Sequence, residues 1–367
     1  MDIGNIKNTK YYLKYKDEAV MAFNTKSESV HIINHELLPL SIINKKPLYG
    51  MVKSFCAGRV MAKNRKNYSW ILKICGLAGD NEVNICIKSE AASLRDNYWI
   101  CRADSDKKWE NVSLYRNMTS THIGRVALTG IAEGSSIVTR FTAGELMNKG
   151  TKAKCFIRYG EKIFMCKAET EDEINSEVIS HYIARAMRLP SVFYRKTKYM
   201  GMSCSICKVL TSEENEMVPC RDILEYYGET RIHMDSQAYR YFMETDPLNF
   251  IRMQLFDYIT LNTDRNRDNY GLLVKHRKPV ALFPVFDHDS CFKGKSTNGI
   301  YFPSGITFHK TIYVLREIYK NEYEQLKPDI MKLNEYIHSG GFKKMFFEYK
   351  TEQDYIKMVH RVANLLV

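Results

Sequence analysis

No apolar run in the sequence approaches the roughly 20 residues needed to cross a bilayer. A candidate such as Tyr68-Ser69-Trp70-Ile71-Leu72 is cut short by Lys73. Asp2 and the lack of an apolar stretch behind it argue against a signal peptide. There is no internal repeat and no low-complexity segment. With 45% apolar and 26% charged residues, a collagen-like fibre, a coiled-coil rod and a disordered acidic tail are excluded. The ten cysteines follow no framework spacing, so they read as reduced core residues and the expected compartment is a cytoplasm. Gly-x-Gly-x-x-Gly, Gly-x-Ser-x-Gly and His-Glu-x-x-His are all absent.

What is present is a chain of 367 residues, roughly two domains long. A chain of that size buries about three quarters of its unfolded surface without a disulfide or metal staple. The 54 Lys and Arg against 42 Asp and Glu leave a formal charge of +12. That balance favours an anionic partner, such as a nucleotide phosphate, an acidic protein or nucleic acid, the last not favoured over the others. Lys53 to Lys73 holds six cations and no acid, with Phe55, Tyr68 and Trp70 interleaved. It reads as an amphipathic helix with a solvated charged side; the alternative is a docking face for an anionic partner.

The first part of the chain is strand-rich, with runs at Tyr11–Tyr15, Glu18–Phe23 and Ser29–Ile33. From about Thr139 the pattern changes. Lys154–Arg158 and Lys162–Ala168 flank Tyr159-Gly160-Glu161 and predict a hairpin. Apolar residues at helical spacing predict a helix over Glu171–Leu189, stopped by Pro190. Gly201–Leu210 reads as a buried strand and Thr211–Glu216 as a polar linker. Beyond it the chain is mostly helical. Asp246 caps a helix that starts at Pro247 and is apolar on almost every side, hence buried. Tyr270–Val274 and Val280–Phe286 predict a second hairpin, Asp289–His309 a long loop, and the remaining residues helices.

The strongest chemical signal is Leu261-Asn262-Thr263-Asp264-Arg265-Asn266-Arg267-Asp268-Asn269-Tyr270-Gly271, followed by Phe286-Asp287-His288-Asp289. Asp264 follows the buried helix, Asn269 opens the second hairpin and Asp287 closes it. A hairpin brings its ends together, so one amide oxygen and one carboxylate form a hard oxygen site for Mg²⁺. Magnesium in such a site takes further ligands from phosphates and water. Asp264 would face the same space as a base or as the group orienting a nucleophile.

This constellation resembles a protein-kinase catalytic loop followed by its magnesium aspartate. More closely, it resembles the HipA-like kinases, with their Asp-[Arg/Gly]-His-x-x-Asn loop and a metal Asp after a β-hairpin. Asn148-Lys149-Gly150-Thr151-Lys152-Ala153-Lys154 resembles that family's phosphate loop. Lys167, with Glu177 in Asn175-Ser176-Glu177, resembles the kinase Lys–Glu pair. Asn34–Leu40 and Ser93–Ile100 are similar to the N-terminal region of HipA-domain proteins. Two departures stand out: Asn266 replaces the family's His, and no Gly follows Asp287.

The resemblance implies an α+β, two-lobed, protein-kinase-like fold. Its parts would be a strand-containing extension over 1–138, a small lobe over 139–212 and a helical lobe over 213–367. It implies ATP- and Mg²⁺-dependent transfer to Ser/Thr hydroxyls of a protein, this one included. Asp264 would be the base, Lys167 would hold the α/β-phosphates, and Glu177 would orient Lys167. Gly150 and Thr151 would offer N–H groups and Lys152 a charge to phosphate. Lys208 and Leu210 would lie at the adenine hinge, near Lys208–Thr211. Asn269 and Asp287 would hold Mg²⁺, and Asp289 would touch a second ion or hydrogen-bond the loop. Ser296, Thr297 and Ser304 are candidates for autophosphorylation. The partners implied are a protein substrate and an antitoxin or DNA-binding protein, with no membrane.

Two other function classes use the same residues. One is a small-molecule or lipid-head-group kinase of this fold; the other is a non-catalytic nucleotide-binding or DNA-associated regulator of a toxin module. Other motif-like stretches fall short of a function. Asp264-x-Asn266-x-Asp268 begins like a calcium loop but has Asn269 where Gly is needed and Lys275 where Glu is needed. Gly294-Lys295-Ser296-Thr297 lacks the first Gly of a P-loop. Cys204-x-x-Cys207 lies in a strand with no second ligand pair, and Cys155 and Cys166 are expected to face each other as thiols.

Overall fold

A computed structural model describes residues 9–117, 120–132, 144–293 and 308–367. Ser296, Thr297, Ser304 and the Gly294–Thr297 motif lie outside the described residues. The chain forms two units: Met1–Ala168 with Thr211–Glu216, and Glu169–Leu210 with Met217–Val367. Among the described residues no helix is long and apolar enough to cross a membrane. All ten cysteines are buried thiols.

The first unit opens with strands β1 (Lys10–Tyr15), β2 (Glu18–Asn24) and β3 (Val30–Ile32), followed by helices α1 (Leu48–Arg59), α2 (Tyr68–Ile74) and α3 (Glu82–Lys88) and strand β4 (Tyr98–Arg102). The strands form one antiparallel sheet in the order β3-β2-β1-β4, with Leu13 opposite Met21 and Ile100. Period-two alternation turns Tyr11 and Leu13 inward. There they join Met51, Val52, Phe55, Ile71 and Ile85 of the three helices in one core. Helices α4 (Trp109–Val112) and α5 (Thr121–Thr129) follow. The hairpin of β5 (Lys154–Tyr159) and β6 (Lys162–Ala168) turns through Gly160–Glu161 and sets Cys155 opposite Cys166, as the sequence predicts.

The reading of Lys53–Lys73 as one helix with solvated charges is corrected. The segment is split between α1 and α2, and Arg59 and Arg65 are buried. Arg59 pairs with Asp96 and donates to Ser93 Oγ at 2.8 Å. Arg65 donates to the carbonyls of Glu145 at 2.6 Å and Lys154 at 2.7 Å. Guanidinium groups that satisfy several acceptors at once can be buried where periodicity registers only a charge.

The second unit starts with α6 (Glu171–Ala186), opened by a capping box between Thr170 and Glu173. It ends before Leu189, since Arg188 takes a positive φ of 56°. Strands β7 (Tyr194–Tyr199) and β8 (Met202–Lys208) form a hairpin whose turn residues Met200 and Gly201 both have positive φ. β7 carries no strand signal in the sequence, because its exposed Arg195, Lys196 and Lys198 mask the alternation. Then come β9 (Asn215–Pro219), α7 (Cys220–Tyr227), α8 (Gln237–Thr245), α9 (Pro247–Thr260), β10 (Gly271–Lys275) and β11 (Lys278–Leu282). The last four helices are α10 (Phe308–Glu317), α11 (Lys320–His338), α12 (Gly340–Tyr349) and α13 (Glu352–Leu366).

Asp246 caps α9 through the Asn249 amide, with Pro247 in the first turn, and Phe250 to Thr260 are buried apart from Arg252. α9 packs against α8, α11 and α13. The β10–β11 hairpin is shorter than its sequence suggests. Pro284 has no N–H for the ladder. Beyond Phe283 the chain leaves β10, and Val285 instead exchanges bonds of 2.9 Å with Pro190 O and the Val192 amide. That change of partner aims Phe286–Asp289 along the start of β7 rather than along β10.

Candidate active site

α9 closes with Leu261 in the left-handed region, and the chain folds into the loop Asn262–Tyr270. The loop is built around Asp257 of α9 and Arg265, both out of solvent. Arg265 Nε and Nη2 donate to the Asp257 carboxylate at 2.9–3.2 Å. Nη1 donates to the Asn269 carbonyl at 3.0 Å and to the Phe286 carbonyl at 2.7 Å. Nη2 also lies 3.4 Å from His288 Nδ1. Burial alone would lower the Arg265 pKa, but the Asp257 carboxylate outweighs it and keeps the guanidinium charged. One side chain thus draws together the two ends of the β10–β11 hairpin.

Asn262 links Asp257 to the loop: its Nδ2 donates to Asp257 Oδ1 at 3.0 Å and its Oδ1 accepts the Asp264 amide at 3.2 Å. Asn266, the departure from the resembled motif, donates to Asp264 Oδ1 at 3.1 Å and accepts the Asp268 amide at 2.9 Å. It therefore supports the loop with an amide in place of an imidazole. Asn269 Nδ2 donates to the Asp264 carbonyl at 2.9 Å, so the amide oxygen is the atom of this side chain able to face a cation. Asp264 is exposed, and its pKa is raised, first by partial desolvation and then by the charges of Asp287 and Asp289. These three carboxylates therefore share one electrostatic neighbourhood.

Asp287 takes a left-handed φ of 61°, and its amide donates to Tyr194 Oη at 3.1 Å. A non-glycine residue in that region costs of order 1 kcal/mol, the kind of strain found at functional sites. On α6, Glu177 is fully buried and its Oε2 accepts the His288 amide at 2.8 Å. The next residue, Asp289, brings a carboxylate oxygen within 4.8 Å of ligand atoms on both Glu177 and Glu169. Such an all-oxygen, anionic donor set fits a hard divalent cation of the Mg²⁺ type.

Lys167 is buried on β6, opposite Lys154, in the first unit. Gly150 takes a φ of 101°, a backbone conformation that side-chain-bearing residues rarely adopt, so the loop needs glycine. Thr151 is exposed and Lys152 half-buried. Arg65 spans this loop, reaching the Asn148 carbonyl at 3.4 Å as well as that of Lys154, and the Lys66 amide donates to Thr151 O at 2.8 Å. Lys208 and Leu210 are exposed at the end of β8.

Of the residues that the sequence singles out, Asp264, Asn269, Glu177, Asp287 and Asp289 are brought into one region by the second unit. Asp257, Arg265, Asn262 and Glu169 lie there too, and no sequence motif points to them. A lone carboxylate inside an otherwise apolar helix was the available sign of Asp257.

No protein-family model matches this chain, and no curated protein matches its sequence. Among solved structures, the chain is similar to HipA of Shewanella oneidensis MR-1, solved in a toxin–antitoxin complex with HipB and operator DNA. The identity is 11%, the match covers 97% of this chain and 96% of that one, and the TM-score is 0.59. The fold is HipA-like. This HipA-like kinase fold is a mixed α/β architecture with antiparallel sheets, as the sequence resemblance implied. A second match is the Helicobacter pylori proinflammatory kinase CtkA, with 15% identity, 58% of this chain and 89% of that chain covered, and a TM-score of 0.39.

Proposed function

We propose that the protein is an ATP- and Mg²⁺-dependent serine/threonine protein kinase of the HipA-like kind, acting in a cytoplasm on a protein substrate that includes itself. The observation that carries this reading is the Arg265 junction. It joins the Asn269 carbonyl to the Phe286 carbonyl, next to Asp287, while Asp264 senses the charges of Asp287 and Asp289. On this reading residues 139–212 form the nucleotide lobe, 213–367 the helical lobe and 1–138 an extension.

Phosphoryl transfer needs positioning and charge neutralisation more than covalent help. The chemistry that Mg²⁺ would supply when bound is positive charge, set against the negative charge that develops on the transferred phosphoryl group. Asn269, Asp287 and Asp289 would hold the ion, with Glu177 and Glu169 beside Asp289. Asp264 would orient the acceptor hydroxyl and take its proton as the hydroxyl oxygen bonds to the γ-phosphorus and the bond to the β,γ-bridging oxygen breaks. ADP leaves with that electron pair. Lys167 would steady the α/β-phosphates, and Gly150, Thr151 and Lys152 would line them. Glu177 would both direct Lys167 and fix the His288 amide. Lys208 and Leu210 would flank the adenine. On the precedent of the HipA structure, solved with HipB and operator DNA, the partner proposed is a DNA-binding protein.

The first test is thermal unfolding of the protein with ATP, with and without Mg²⁺. The kinase reading expects a rise in Tm that needs both. The same Tm in all conditions at millimolar nucleotide would exclude it.

A further inference from the structure

Six residues, Thr211–Glu216, leave the second unit after Leu210 and return to it at Met217, yet they belong to the first unit. Connectors of this length ordinarily run solvated over a surface. This one carries three carboxylates; Glu214 is exposed, while Glu213 and Glu216 are engaged. Glu213 Oε1 accepts from Trp109 Nε1 at 2.9 Å, Ser113 Oγ at 2.7 Å and Arg116 Nε at 2.8 Å, and its Oε2 accepts from Arg116 Nη2 at 2.7 Å. Glu216 accepts from Tyr15 Oη at 2.5 Å and from the Asn97 amide at 3.1 Å. Asn97 Nδ2 donates to the Glu213 carbonyl at 3.1 Å, and Thr211 Oγ1 donates to the Leu94 carbonyl. The donors to this linker come from β1, α4, the segment before β4 and the segment after α4, all N-terminal to residue 139.

Burial alone would raise the Glu213 pKa, and these donors reverse it to a lowered value. The bonds are charge-assisted, and the Arg116 fork adds direction to strength. A grip of this kind holds a path rather than a fold: α4 and β4 are already packed through Trp109, Val112 and Trp99.

We propose that Glu213 and Glu216 are positioning residues for nucleotide affinity. Through them the N-terminal segment holds the linker, and with it the backbone of Lys208–Thr211, in the form that receives the adenine. The inference rests on the kinase reading, in which the hinge runs through Lys208–Thr211. If the linker is released, only a fraction of molecules carries a competent hinge, and apparent affinity falls by that fraction. The groups that perform the transfer keep their places, so the rate at saturation is retained.

The test uses the full chain with Glu213→Gln, which keeps the shape of the side chain, and Ser113→Ala, which removes a single donor and is the milder variant should the first fail to fold. KM for ATP, kcat at saturating ATP and hydrogen exchange over residues 208–217 are measured for each. The expected result is a KM for ATP raised on the order of tenfold in Glu213→Gln and less in Ser113→Ala, with kcat within about twofold of wild type. Exchange over 208–217 should be faster in the same order. Faster exchange with KM unchanged would overturn the proposal, because the grip would then be structural only. Unchanged exchange would overturn it as well, because the linker would hold its path without these bonds. Loss of kcat with KM unchanged would assign the residues to another role. A wild-type protein that neither binds nor turns over ATP removes the kinase reading itself, and the proposal with it; that result is distinct from the other three.

Discussion

Arg265 and Asp257 form an ion pair with 2% and 1% of their side-chain surfaces exposed. Breaking such a pair from one side leaves a buried charge and costs about 3–5 kcal/mol. Asp257→Ala is therefore expected to lower stability by about that amount in urea unfolding, and to lose phosphoryl transfer as the loop comes apart. The double variant Asp257→Leu with Arg265→Met replaces charge with packing. It should regain most of the stability but no activity, since nothing then holds the carbonyls of Asn269 and Phe286 together. A double variant that recovers both would show that the pair has no positioning role.

Asp287 and Asn269 are expected to govern Mg²⁺ dependence. In Asp287→Ala or Asn269→Ala, the Tm rise produced by Mg²⁺ with ATP should shrink toward that produced by ATP alone, with an unliganded Tm near that of wild type. The check is a titration of Mg²⁺ at fixed ATP in a thermal-unfolding assay. A wild-type midpoint in both variants would take these residues out of the metal site.

Gly271 faces a harder constraint than the turn glycines. A Cβ there would stand 2.2 Å from Val218 O and 2.7 Å from Pro219 Cα, both backbone atoms. Gly271→Ala must push β9 from β10 beside the Asn262–Tyr270 loop, and a cost above about 4 kcal/mol is expected. Gly201, at a φ of 77° with nothing nearby, should cost only about 1 kcal/mol as Ala. Equal urea midpoints for the two variants would contradict this placement.

Much of this was legible in the sequence because hairpins and buried helices leave local marks. Gly160–Glu161 between two β-rich runs, Asp246–Pro247 before an apolar stretch, and the Asp264-x4-Asn269 spacing each carry their own signal. What was not legible depends on distant partners. Arg59 and Arg65 look like surface charges until Asp96 and the carbonyls of Glu145 and Lys154 are in place. β7 looks like a polar loop because only Tyr194 and the odd neighbour turn inward. Glu213 and Glu216 sit in what reads as a solvated linker, and their donors lie about a hundred residues or more upstream.

The acid limb of stability should report the Asp96 pair. Burial alone would raise the Asp96 pKa, but Arg59 and Arg95, with hydrogen bonds from Arg59 and the Tyr98 amide, bring it below the ordinary value. The unfolded chain takes up this proton near pH 3.9, the folded chain at a lower pH. Stability from the pair is therefore complete above about pH 3.9 and is lost as pH falls through the folded value. Asp96→Asn should be less stable than wild type at pH 7, with the gap closing in acid. A gap that is constant from pH 7 to pH 2.5 in urea unfolding would contradict the assignment.

The account turns on Asp264, and transfer of label from radiolabelled ATP in the presence of Mg²⁺ tests it most directly, with wild type and Asp264→Ala side by side. Wild type is expected to place phosphate on serine or threonine of itself or of a protein substrate. Asp264→Ala should be slower by about 100-fold or more while ATP with Mg²⁺ still raises its Tm. Labelling by Asp264→Ala at the wild-type rate would contradict the account.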